Sequence, residues 1–299
     1  RGEPPGLGAA AEHFELAGDI IQACEFFARA AEHARSRFEH DAALGHVESA
    51  LMLLDREATK AGPDHRGLTS EAAGTLALRW RLLVVREYTL NTRGKRAEQR
   101  ATLDTMQDVA DALDDDSRRS LVARRRSLFG LRTADYRAQE SAAVQAMAFA
   151  ERAGDAVQRL EAQRLLADAL GALGDFETGR ALARDGLAEA RARGLRRVEG
   201  VFLNALSHIA SMQDDQVEGL ALDQQDLPIW RELGDPQGET IALGNVGADW
   251  LWFGEFTQAR QHLEAALKLS RTVGARQLEC GPLCNLAQAA LWQGDATRA

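Results

Sequence analysis

Apolar residues recur at spacings of three and four along Phe256, Ala259, Leu263, Ala266, Leu267 and Val273, with Gln, Arg, Glu and Lys between them. That pattern is one apolar stripe on a helix. Phe176, Leu182, Ala183 and Leu187 carry it earlier in the chain, and small residues share one of its positions: Gly179, Gly219, Ala259 and Ala299. A small side chain there lets a paired helix approach closely. Glycines punctuate these helix-length segments on two ladders, Gly154, Gly194, Gly234, Gly274 and Gly174, Gly254, Gly294, with Asp214 on the missing rung. Each ladder has a step of 40 (194 − 154), and the two lie 20 residues out of phase (174 − 154). Glycine suits the left-handed position just past a helix end, so the spacing predicts helices that end, turn and start again.

In chain order, residues 1–7 read as linker. A helix is predicted from Gly8 to about Ala17 with a turn at Gly18-Asp19, then a long periodic segment from Ile20 to Phe38. A break at Glu39-His40-Asp41 precedes a helix to Leu54. This opening section is predicted to have its own, shorter step. Residues 55–69, through Gly62-Pro63-Asp64 and His65-Arg66-Gly67, carry the strongest turn chemistry and mark a boundary. The predicted organisation is an irregular 1–69 and a regular array over 70–299. A helix from Ser70 to Leu90 turns at Gly94, which is on the second ladder with Ala134 on the next rung. Pro228 is expected to kink or restart its helix. The final Gly294-Asp295 opens a further helix by analogy with Gly254-Glu255, and the sequence stops at Ala299, as expected of a piece of a larger protein.

The order of residues from Leu227-Pro-Ile-Trp-Arg-Glu-Leu-Gly-Asp235 through Ala242-Leu-Gly-Asn-Val-Gly247 to Gly254-Glu-Phe-Thr-Gln-Ala259 resembles the tetratricopeptide repeat. The 40-residue step and the Arg-Glu-Leu-Gly-Asp punctuation resemble the repeat regions of large bacterial regulators, the MalT-like and LuxR-type signal-transduction ATPases and repeat-linked nucleotide cyclases. His13-Phe-Glu-Leu-Ala-Gly-Asp19 through Ala30-Ala-Glu-His33 is similar to the start of such regions. HEAT repeats share a step near 40 but lack the Gly-acidic turn. The resemblance implies an all-α fold, a right-handed superhelical array of antiparallel helix hairpins. It also implies that any ATPase, cyclase or DNA-binding part lies in another segment.

The composition agrees with helix throughout: abundant Ala, Leu, Arg and Glu and only 6 Pro. The net charge of −9 argues against a general nucleic-acid binder, which needs a basic face. The 3 cysteines are too few for a disulfide framework and point to the cytosol. No apolar run approaches the length of a membrane span. There is no phosphate-binding GxxxxGK[ST], His-Glu-x-x-His or Cys-x-x-Cys. Cys280 and Cys284 share a helix face without further ligands nearby, and read as small residues in a helix contact. Asp114-Asp115-Asp116 reads as a turn with Asp and Ser117 capping the next helix, ahead of a cation site. His13, His33, His40 and His46 read as surface or turn residues. No cofactor or metal is expected.

The first helix of each hairpin is expected to line a groove. Repeat register places in it Tyr88, Arg124, Leu128 and Arg132, then Arg164, Asp168 and Ala172, then Asn204, His208 and Met212. Gly244, Ala248 and Trp252 follow, then Cys284, Gln288 and Trp292. Arg124, Arg164, Asn204 and His208 would engage backbone or carboxylates of an extended segment, with Trp252 and Trp292 as apolar anchors. The two tryptophans recur at one rung, so packing between hairpins is the competing reading. Arg124-Arg125-Arg126 reads better as a partly solvated face than as a phosphate site. The expected function is non-catalytic binding of a protein or peptide segment, including another domain of the same polypeptide, as the sensor arm of a cytoplasmic bacterial regulator. The alternative is a stand-alone scaffold or peptide receptor. An all-helical enzyme would instead show clustered, perturbed acids or histidines.

Overall fold

The computed structural model describes residues 6–61 and 70–294. Among them are fourteen α-helices, one short 3-10 turn at Arg276–Leu278 and no strand. The chain divides into two compact units, Arg1–Val122 and Ala123–Ala299. The first holds α1 (Leu7–Leu16), α2 (Ile20–Ser36), α3 (His40–Ala61), α4 (Ser70–Thr92), α5 (Arg96–Ala112) and the start of α6 (Asp116–Arg132). The second holds the rest of α6, then α7 (Tyr136–Ala153), α8 (Ala156–Ala172), α9 (Phe176–Ala192) and α10 (Arg196–Met212). It continues with α11 (Gln216–Leu233), α12 (Pro236–Trp252), α13 (Phe256–Val273) and α14 (Cys280–Trp292).

The turn chemistry is uniform. Every rung from 94 to 294 at intervals of 20 has positive φ, whether glycine or not, including Asp114 (48°), Ala134 (56°) and Asp214 (59°). Each turn is a pair of backbone hydrogen bonds that closes the helix end. At Gly154, its own N–H reaches Glu151 O at 3.1 Å and the next N–H, of Asp155, reaches Ala150 O at 2.9 Å. At Ala134 the same two bonds run to Leu131 O (3.2 Å) and Gly130 O (2.9 Å). Where the residue after the turn is Asp, it caps the following helix, whereas Lys95, Leu195 and Glu255 make no side-chain cap. Asp19, Asp135, Asp155, Asp175, Asp215 and Asp235 each accept from a backbone N–H in the first turn they precede.

Gly18 and Phe38 are also left-handed and 20 apart (38 − 18), so the opening section has the common step, not the shorter one expected. The beat is lost where α3 runs on to Ala61, past the predicted end at Leu54 and into the stretch read as loop. Residues 62–69, the rest of that stretch, lie outside the described residues, as do 1–5 and 295–299. α11 continues through Pro228 without a break. Pro228 is solvent-exposed, so its ring stands clear of the packed face. Asp114-Asp115-Asp116 is a capped turn: Asp115 accepts from the Arg118 N–H at 2.9 Å, and Arg119 pairs with Asp111, Asp114 and Asp116.

In the first unit α2 packs against α1, α3 and α4. Its small residues, Ala23, Ala28, Ala30 and Ala31, are buried with Phe27 and Leu54. Cys24 Sγ donates to Ala50 O at 3.5 Å, and burial pushes its thiol up to about 11. Arg81 of α4 grips Glu25 and Glu32 of α2. In the second unit α10 packs against α8, α9 and α11, and α12 against α11, α13 and α14. Phe202 is fully buried in a slot only glycine permits: a Cβ on Gly186 would stand 2.1 Å from its ring.

Candidate functional site: an exposed stripe and a buried acid cluster

The helices of the second unit differ in how much they bury. α10 buries ten of its seventeen residues, whereas α9 and α13 bury five and four of theirs. What α10 leaves uncovered is narrow: Asn204 is half-buried and His208 exposed, between buried neighbours on both sides. The 40-residue register carries that stripe to α12 and α14. There Trp252 (65% exposed), Gln288 and Trp292 (51%) face solvent, against the reading that the tryptophans pack between hairpins. Cys280 and Cys284 are exposed as well. The buried small-residue contact expected of them is not made among the described residues, where the buried positions of α14 are Pro282, Ala289 and Ala290.

The charged candidates are engaged internally. Arg124 pairs with Glu161 on α8, and Arg164 pairs with Asp168 one turn along the same helix. Burial pushes the Asp168 carboxyl up, against the pull of Arg164 and His208. Tyr88 belongs to the first unit, where Arg35 lies over its ring at 5.1 Å. Of the predicted residues, Arg164, Asp168 and His208 thus form one electrostatic group, and Asn204 borders a cavity described below.

Sequence reading missed three aspartates at core positions. Asp223, Asp226 and Asp249 are 1%, 1% and 5% exposed. In register with Asp223 stand Ala143, Ala183 and Leu263; with Asp226, Ala146, Gly186 and Ala266; with Asp249, Ala169, Ile209 and Ala289. Each acid occupies a rung that is otherwise small or apolar, and comparing rungs 40 apart would have exposed all three. Ser207 Oγ donates to Asp223 Oδ2 at 2.6 Å, and Asn245 Nδ2 approaches Asp223 Oδ1 at 3.5 Å. Burial, reinforced by the neighbouring Asp223 charge, pushes the Asp249 carboxyl well up. Burial alone is the main cause that lifts Asp226 to about 7. Both Asp226 carboxyl oxygens and Asp249 Oδ2 form no hydrogen bond of good geometry, although the Trp230 indole N–H lies close enough to Asp226 to pull against its upward shift.

Asp226 borders a cavity of about 200 Å³ between the first turns of α10 and α12 and the last turns of α11. Arg197, Val201, Asn204, Trp230, Asp235 and Ile241 line it with Asp226. Trp230 is seated between two glycines: a Cβ on Gly238 would lie 2.3 Å from its ring and one on Gly200 2.9 Å. Arg197 pairs with Asp235 at 2.5 Å and lies 5.5 Å from the Trp230 ring centroid. Among the described residues no group of three or more His, Cys, Asp or Glu could hold a metal ion.

The chain matches no protein-family model and no curated protein sequence. Its fold does match solved structures. A Signal Transduction ATPase with Numerous Domains from Pyrococcus horikoshii, described with a tetratricopeptide repeat sensor, superposes with a TM-score of 0.57 at 12% identity over 98% of this chain. The fold is that of tetratricopeptide-type helix hairpins. This chain spans under half, 46%, of that ATPase structure. A Rap protein complexed with Competence and Sporulation Factor matches at 0.60 with 11% identity, covering 93% of this chain and 92% of that one. Aspartyl phosphate phosphatase F from Bacillus subtilis matches at 0.61 with 12% identity, covering 99% and 84%. At these identities the tetratricopeptide-type likeness is one of fold.

Proposed function

We propose that this chain is a protein- or peptide-binding module, the sensor or interaction arm of a larger bacterial signalling or transcriptional regulator acting in the cytoplasm. The observation that carries the reading is the stripe of α10, α12 and α14. Asn204, His208, Trp252, Gln288 and Trp292 stay accessible at successive rungs, on helices of which α10 and α12 are otherwise deeply packed. Exposed tryptophans beside polar groups suit recognition of an extended segment. The likeness to a repeat sensor within a larger ATPase, and to a Rap protein in complex with a factor, supports the same reading. The partner on this reading includes another domain of the same polypeptide. No helix among the described residues is long and apolar enough to cross a membrane.

An enzyme reading gains one observation, the perturbed acids. Acid–base catalysis needs a carboxyl within reach of a substrate atom, and Asp223 is engaged by Ser207 inside the helix packing. In the cavity Asp226 is joined by one other acid, Asp235, which Arg197 and the α12 cap already occupy. The arrangement favours holding over transforming.

The test is selection of displayed random short peptides on the intact chain. Enriched peptides should bind in the micromolar range, and Trp252→Ala with Asn204→Ala should weaken them at least tenfold with helicity and melting unchanged. Arg164 is a poor choice for this test, since removing it strands the partly buried Asp168. Absence of any enriched peptide, or binding indifferent to the double variant, would sink the reading.

A further inference from the structure

The cavity beside Asp226 has an electrostatic imbalance that fixes what it can take. Its cation, Arg197, is matched by Asp235. The backbone donors at the start of α12 are matched too: Gln237 N and Gly238 N both donate to Asp235 Oδ1, at 3.0 and 3.1 Å. Those two backbone donors are therefore not free for an anion. The group without a charged partner is the Asp226 carboxyl, almost wholly buried, with no well-formed hydrogen bond and only the neighbouring Trp230 indole N–H to pull on it. An unpaired buried carboxyl is costly, and a donor or cation placed against it recovers that cost. One wall is the Trp230 ring, an aromatic face of the kind that attracts cations and over which Arg197 already lies at 5.5 Å. Asn204 brings the exposed stripe to the lining. A volume of about 200 Å³ is smaller than a drug-sized site and suits one side chain.

We propose that this cavity is a specificity subsite that receives one guanidinium or ammonium side chain of a bound peptide, paired with the Asp226 carboxylate against Trp230. The inference rests on the peptide-binding reading above and gives the partner a chemical requirement. The ligand is a basic residue in an extended segment, not an acidic or purely apolar one.

The experiment follows the Trp230 indole N–H resonance of the intact chain during titration with N-acetyl-arginine amide, N-acetyl-lysine amide, the neutral N-acetyl-citrulline amide and free putrescine. The expected result is a saturable shift with the arginine or lysine amide and none with citrulline. Asp226→Asn should weaken that binding at least tenfold, and Ile241→Trp, which fills the cavity from the α12 side, should do the same. Circular dichroism melting checks that both variants are folded, and either one serves if the other is not. Equal binding of citrulline, or full binding by both folded variants, overturns the proposal. Saturation by putrescine with no response to either amide also overturns it, since the source is then a free amine. Peptides enriched by display should contain Arg or Lys and lose affinity with Asp226→Asn. Enriched peptides lacking a basic residue and indifferent to that variant overturn the subsite while leaving the peptide-binding reading standing. A positive amide titration with no enriched peptide overturns that reading instead.

Discussion

Asp226 and Asp249 hold their protons above the ordinary carboxylate range because burial disfavours their charge. In the unfolded chain the same groups ionise near 3.8, so between pH 4 and about 7 the folded state binds more protons. Their contribution to stability is therefore complete below pH 4 and is lost as pH rises through 7. For Asp226 alone the change is on the order of 4 kcal/mol. Asp155, Glu189 and Asp235 are shifted down and act oppositely, losing stability at the acid end. Urea midpoints should peak near pH 4 and fall towards pH 8, and Asp226→Asn or Asp249→Asn should flatten the alkaline fall. A midpoint constant from pH 5 to 8 would contradict the buried charges. Backbone conformation gives a second expectation at this scale. Ala134 sits at φ 56°, a conformation that suits glycine. Ala134→Gly should raise stability by about 0.5–1 kcal/mol by chemical denaturation, and Gly254→Val (φ 74°) should lower it by roughly 1 kcal/mol or more.

At the scale of elements, the turns were legible because their residues announce them: Gly-Asp pairs fall where one helix closes and the next is capped. Legibility failed where a side chain contradicts its rung. Pro228 looked like a break, yet α11 spans it, because the burial of Leu227, Ile229 and Trp230 on both sides holds the helix together. The cost is a missing N–H to the Gln224 carbonyl. Pro228→Ala should therefore stabilise the chain by about 1–3 kcal/mol, read as a higher melting temperature. The buried aspartates escaped notice because composition cannot distinguish a surface acid from one on a core rung. Another regularity lies in ion pairs that only the fold brings together. Arg191–Glu199, Arg231–Glu239 and Arg271–Glu279 each straddle a turn at 2.9, 2.9 and 3.0 Å, at successive 40-residue steps (231 − 191). These pairs are partly exposed and contribute little each, but they fix how one hairpin leads into the next.

For the whole molecule, the net charge of −9 and the unmatched Asp226 point to a basic partner. Affinity for basic peptides selected on the chain should fall as salt rises from 50 to 500 mM, mainly through slower association. Salt-independent binding would mean that charge plays no part. The architecture could be read from the sequence since it depends on periodic backbone events. The stripe could be read only in part. Register located Trp252 and Trp292, but gave no sign that Arg164 would spend its charge on Asp168.

The helix-closing bonds at each rung involve main-chain atoms alone, and Ala134, Asp114 and Asp214 make them as glycine does. Splicing at equivalent rungs should therefore be silent to the fold. Excising 195–234, a length of 40 set by Gly194 and Gly234, would join Gly194 to Asp235 in phase, whereas excising 195–230 would join Gly194 to Arg231 and leave residues 231–234 as surplus in that turn. Such a chain can gain or lose whole hairpins by recombination, so the length of its array is free to drift while the individual hairpin stays the same.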